Sequence, residues 1–185
     1  MKKFEIRGRD TVKIAWSGTF LALALLLPAI AGHVPEIGRA LSAMHIPIFI
    51  CGFLLGPAYG AAVGALAPLF GFVVTGMPPI YPMGLSMAFE LAAYGFVSGF
   101  IFGKKPSGRN IADIYISLAA AMLVGRLVWG LMMFVFLGFS ATKFPFSAFI
   151  GGAFFEALPG IILHALIVPP IIFGLQRLSK HARRG

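Results

Sequence analysis

Glu90, Arg126 and Glu156 are the residues of this sequence best placed to do chemistry, because each is an ionisable side chain set deep inside a long apolar run. A charge at mid-bilayer costs roughly 2.5–3.5 kcal/mol on insertion scales, so each one present must be paired or used. Counted from the outer ends of their runs at 1.5 Å per residue, the three lie at depths of roughly 10, 20 and 15 Å, which lets them share one cavity. Their neighbours point the same way. Ser86, Glu90 and Tyr94 form a stripe at four-residue spacing, Arg126 shares a face with Trp129 and Met133, and Gly152, Glu156, Gly160 and His164 form a third stripe. Glu90 with Arg126 admits two readings, a buried salt bridge that locks helices together and a ligand site. His164, deeper than the others, reads first as a structural histidine.

A site is better supported where polar side chains meet broken backbone. His45 and Pro47 open one apolar run, and Gly76-Met77-Pro78-Pro79-Ile80-Tyr81-Pro82 joins two others, a loop too rich in proline to be a flexible connector. Pro79 and Tyr81 would belong to a preset lid. The segment 33–43, with Glu36 and Arg39, is the expected mobile gate. His45, beside the expected mouth, is either a helix-end residue or a ligand contact. The expected substrate-binding set is thus His45, Pro79, Tyr81, Glu90, Tyr94, Arg126, Trp129 and Glu156. Catalysis finds little support: there is no His-Glu-x-x-His, no Gly-x-Ser-x-Gly, no phosphate-cradling glycine loop and no cysteine pair beside the lone Cys51. The expectation is a protein that is not an enzyme and needs no cofactor or metal.

The elements that must position these residues follow from composition. The chain has 185 residues, 59% hydrophobic and 11% charged, with a mean hydropathy of +0.93, which no water-soluble core accommodates. Long apolar runs, rather than alternating ten-residue strands, exclude an aqueous-lumen barrel. Spans are expected at 12–31, 44–56, 58–76, 83–103, 113–139 and 146–176, one all-α membrane domain over 1–185. The run 44–76 as a single helix would be about 50 Å long, beyond a hydrocarbon core of about 30 Å, so Gly56-Pro57 must break it and leave a short second helix.

The net charge of +9 reads as topology. Lys2, Lys3, Arg7, Arg9 and Lys13 lie at the start, Lys104, Lys105 and Arg109 in a middle loop, and Arg177, Lys180, Arg183 and Arg184 at the end. With six spans these are all on the cytoplasmic side with both termini, leaving Arg39 and Lys143 outside. No basic patch interleaved with aromatics suggests nucleic acid. A signal peptide ending near Ala29-Ile30-Ala31 is the rival reading of the first run, but it would leave an odd helix count. Small residues four apart should pack helices closely: Gly60, Gly64 and Pro68 in the third span, and Gly84, Ala88, Ala92, Gly95, Gly99 and Gly103 in the fourth. Ala15, Gly18 and Ala22 in the first span, with Gly60 and Gly64, could instead dock a partner protein.

Several short stretches also carry a family likeness. Met44-His45-Ile46-Pro47, Cys51-Gly52-Phe53, Gly56-Pro57-Ala58-Tyr59-Gly60 with Gly64, Gly76-Met77-Pro78-Pro79 and Met87-Ala88-Phe89-Glu90-Leu91 resemble the substrate-binding S components of energy-coupling factor (ECF) transporters. The resemblance implies a plasma-membrane subunit that captures a water-soluble vitamin or vitamin precursor from outside. Such a subunit docks on a transmembrane coupling protein and two ATP-binding subunits, and by analogy topples to release its cargo. The family's Ala-x-x-x-Ala pattern on the first helix is imperfect here, with Thr19 four after Ala15, so Ala15, Gly18 and Ala22 would serve. The motifs look most like pantothenate members, and Arg126 with His45 would suit a carboxylate-bearing ligand. Cobalamin-precursor bases, folate and other vitamins stay open. Metal-ion members carry a histidine at the second residue, where this chain has Lys2. Two other functions stand beside this one: a self-sufficient transporter in which Glu90 or Glu156 relays protons, and an intramembrane enzyme.

Overall fold

The computed structural model describes residues 10–31, 43–104, 110–138, 151 and 158–181. Their regular structure is entirely helical: α1 (Asp10–Ala31), α2 (His45–Leu55), α3 (Pro57–Thr75), α4 (Leu85–Lys104), α5 (Ile111–Gly138) and α6 (Leu158–His181), with one wide turn, Ile80–Gly84, leading into α4. Five of the six, all but α2, are long and apolar enough to cross a membrane. The ends of α1 to α5 fall within two residues of those drawn from the apolar runs. The sixth helix continues to His181, five residues past its expected end at 176, and its expected start at 146 lies outside the described residues.

The breaks have local causes. Gly56 adopts φ 98°, a conformation that disfavours any side chain, and its N–H bonds the Gly52 carbonyl at 3.1 Å to finish α2. Pro57 then opens α3, where a missing N–H leaves no bond unmade. Gly76, at φ 73°, closes α3 in the left-handed form, with its N–H 2.8 Å from the Phe72 carbonyl. The Met77-Pro78 and Tyr81-Pro82 peptide bonds that follow are both cis.

With 11 residues, α2 is only about 16 Å long. It is interior nearly all round, packed against α1, α3, α4 and α6. Its first residue, His45, lies against Tyr94 in the middle of α4, and Phe53 meets Phe102 near the Lys104 end. So α2 runs beside the second half of α4 and stops short of the Ile80 end. Its backbone groups are covered by protein rather than lipid, which is the condition under which a helix too short to span is stable in a membrane.

The α2–α3–α4 contact is made by glycines. A Cβ placed on Gly60 or Gly95 would overlap the backbone of the other, and one on Gly52, Gly64 or Gly99 would overlap a neighbouring backbone in the same seam. Such approach gives lipid-embedded helices the dispersion contacts that replace the hydrophobic effect. Leu123, Leu127, Leu131 and Phe134 are exposed on the opposite side of α5, as expected of a lipid-facing surface.

Candidate functional site

The polar residues of α4 and α5 meet in the bundle. Arg126 Nη1 lies 3.0 Å from Glu90 Oε1, and the Tyr94 hydroxyl donates to the same oxygen at 2.6 Å. Local sequence sets this up. Tyr94 is one helical turn beyond Glu90, so the two lie on one face of α4, and Gly125 gives the Tyr94 ring room beside α5, since a Cβ there would overlap the ring edge. Glu90 is 2% exposed and the Arg126 side chain 12%. Each would be costly to bury alone; together they offset most of that cost through contact and shared hydrogen bonding. The contact that helix depth allowed is therefore formed.

A ring cluster continues from Tyr94. The His45 ring lies 5.4 Å from that of Tyr94 and 5.4 Å from that of His164, while Phe49 lies 4.9 Å from Tyr94 and 5.5 Å from His164. Four rings from α2, α4 and α6 thus pack as one group, all nearly inaccessible to solvent. Sequence reasoning treated His164 as a separate structural histidine and did not single out Phe49. The four-residue spacing of His45 and Phe49 was a usable signal for the second; no signal in the sequence joined α6 to α2.

The remaining expected site residues are spread more widely. Trp129 is buried with Met133 in a separate apolar group that Leu137 joins, one and two turns along α5 from Arg126. Tyr81 is exposed at the Ile80 end, its hydroxyl donating to the Phe136 carbonyl at 2.6 Å and its ring 5.9 Å from the Phe136 ring. That carbonyl lies in the last turn of α5, so the tyrosine ties the Ile80 segment to the end of that helix. Pro79 is exposed in the same segment. Glu156, with Glu36, Arg39 and the segment 33–42, lies outside the described residues. Among the described residues no group of three His, Cys, Asp or Glu side chains is placed to hold a metal ion.

The expected docking residues divide. Ala15, Gly18 and Ala22 form an exposed line on α1, with open space where a Gly18 side chain would be. Gly60 and Gly64 do not join them. Both are buried against α4, so the face drawn through them is an internal contact and the expectation that it meets a partner is corrected. The small-residue pattern of a docking face and of a tight internal seam is the same; only the neighbour distinguishes them.

Residues 12–172 match the family model of the ECF transporter substrate-specific component. The chain belongs to this family. A search of curated proteins found no match. As an S component it is a substrate-binding transport subunit of the membrane, working with an ECF module, and is not itself an enzyme. Its buried charged pair and ring cluster lie where α2 ends short of the Ile80 end.

Proposed function

We propose that this S component captures a small water-soluble vitamin or vitamin precursor bearing a carboxylate, pantothenate first among them, on the outer side of the plasma membrane. The observation that carries the reading is Arg126 Nε, which is buried with no hydrogen-bond partner among the described residues. A guanidinium offers its donors as a planar fork that matches a carboxylate. A buried donor left unmade costs about 1–3 kcal/mol, which an incoming carboxylate recovers. Glu90 and Tyr94 hold the fork from one side. His45 contributes polar contact and Trp129 apolar surface, Glu156 is a further polar contact, and Pro79 with Tyr81 forms the lid. Because α2 covers only part of α4, the Ile80 end is where a ligand would reach Arg126.

Release requires the partner module. Ala15, Gly18 and Ala22 are the surface on which the transmembrane coupling protein docks, and ATP is hydrolysed by that module's two ATP-binding subunits. Both termini lie in the cytoplasm with the basic loop at 104–109. The test is mass spectrometry of what co-purifies with the protein, followed by binding to a vitamin panel. Tight binding of a carboxylate vitamin, with uptake only when the module is present, supports the proposal. Accumulation by the chain alone under a proton gradient contradicts it.

A further inference from the structure

Gly125 sits in the middle of the buried face of α5, one turn after Ala121 and one turn before Trp129. The edge of the Tyr94 ring occupies the place its side chain would take: a Cβ there would overlap Cδ1 and Cε1 and come within 3.1 Å of Cζ, the carbon that bears the hydroxyl. The glycines of the α2–α3–α4 seam make room for backbone, whereas Gly125 makes room for one side chain. Toward α2 the same ring meets Phe49 at 4.9 Å and His45 at 5.4 Å, and it is buried. It is therefore held between α2 and α5. The hydroxyl at its far end donates to Glu90 Oε1 at 2.6 Å, the oxygen that also meets Arg126 Nη1 at 3.0 Å. That one oxygen joins α4 to α5, and its place depends on where the ring lies.

From this geometry we infer that Gly125 is a positioning residue of the substrate site, setting the Tyr94 ring and through it the Glu90 carboxylate that aims Arg126. The carboxylate-bearing substrate rests on the proposed function, but the path from Gly125 to Arg126 is a property of the chain alone. A methyl at residue 125 needs the space of the ring edge, and Phe49 and His45 stand in the way of a retreat toward α2. The ring must swing, and its hydroxyl, the atom farthest from the backbone, moves most. A shift of about 1 Å takes the 2.6 Å bond past hydrogen-bonding distance. Glu90 then re-centres on Arg126 alone, and the guanidinium no longer meets a substrate carboxylate in the geometry that a planar two-donor contact demands. The hydroxyl carries the effect, so removing it with Tyr94→Phe leaves Gly125→Ala little further to change. Overpacking against the ring, which both backgrounds retain, would instead add equally in each.

The test uses the full chain in lipid nanodiscs with ¹⁵N-labelled arginine and compares wild type, Gly125→Ala, Tyr94→Phe and the double variant. The Nε–H signal of Arg126, identified by its loss in Arg126→Gln, reads the guanidinium without ligand. It is expected to move in both single variants and to stand in the double variant where Tyr94→Phe alone puts it. Calorimetry then gives the affinity for pantothenate, the probe ligand, and for pantothenol, which has an alcohol in place of the carboxylate. Gly125→Ala is expected to weaken pantothenate by about tenfold or more, the scale of one charge-assisted hydrogen bond, and pantothenol by about twofold at most. In the Tyr94→Phe background it should cost neither ligand anything further. Should Gly125→Ala alone not fold, Gly125→Ala with Phe49→Leu, which gives the ring space toward α2, is compared with Phe49→Leu under the same expectations. An Arg126 signal unmoved by Gly125→Ala, an unchanged pantothenate affinity, an equal loss for both ligands, or the same change with and without the Tyr94 hydroxyl overturns the inference. Signals that move as expected while neither the wild type nor any variant binds pantothenate uphold the positioning path and refute pantothenate as the substrate.

Discussion

The two sides of α4 solve the same problem by opposite means. Toward α2 and α3 it presents Gly95 and Gly99, and there the helices meet backbone to backbone at Gly52 and Gly60 with Ser98 beside them. Toward α5 it presents Glu90 and Tyr94, which meet Arg126 and leave one of its donors unpartnered among the described residues. The glycine seam leaves no room for a side chain, and among the described residues none of its side-chain polar atoms is buried without a partner. The polar contact holds the helices and still has hydrogen-bonding capacity left. A seam built for packing alone has no reason to carry that surplus, and this is the ground on which we propose the α5 side as the one that serves a ligand.

The comparison can be broken most sharply at Gly95. Gly95→Val places side-chain atoms inside the Gly60 backbone, which cannot give way as a flexible side chain would, so loss of folded, monodisperse protein is expected on size exclusion. Gly18→Val adds the same volume on the exposed face of α1 and should leave the melting temperature unchanged. If both variants melt alike, the seam is not what holds α3 to α4.

Next in size, Arg126→Ala strands the buried Glu90 and should destabilise by about 3–5 kcal/mol in denaturant titration. Joining Glu90→Leu to Arg126→Met should recover most of that loss while ligand binding stays absent, separating the structural worth of the pair from its use. Tyr94→Phe removes one hydrogen bond to a charged acceptor and should cost about 1.5–3 kcal/mol. Smallest is Tyr81→Phe, at about 1 kcal/mol or less because the bond is exposed. Its readout is local: faster amide exchange within 76–84 with the helices unchanged.

Much of this architecture was legible in the sequence. Apolar run length and the Gly56-Pro57 break located the short α2, and the depth of Glu90 and Arg126 along their helices allowed the contact now seen at 3.0 Å. The i, i+4 relation tied Tyr94 to Glu90. What escaped depended on which helix faces which. Small-residue spacing could not tell Gly60, whose side-chain position is filled by Gly95, from Gly18, whose side-chain position is open among the described residues. His164 lay in a stripe of its own until α6 packed beside α2, and the partner of Tyr81 is a backbone carbonyl, which residue types cannot announce.

The central claim, that Arg126 meets the substrate rather than only bracing the bundle, is tested most directly by calorimetry. The vitamin that co-purifies with the wild-type chain is titrated into wild type, Arg126→Gln and Glu90→Gln, each first verified as folded. We expect at least about a tenfold loss of affinity for Arg126→Gln, the equivalent of one charge-assisted hydrogen bond, and a smaller loss for Glu90→Gln. Unchanged affinity in both variants would assign the pair to structure alone and contradict the account.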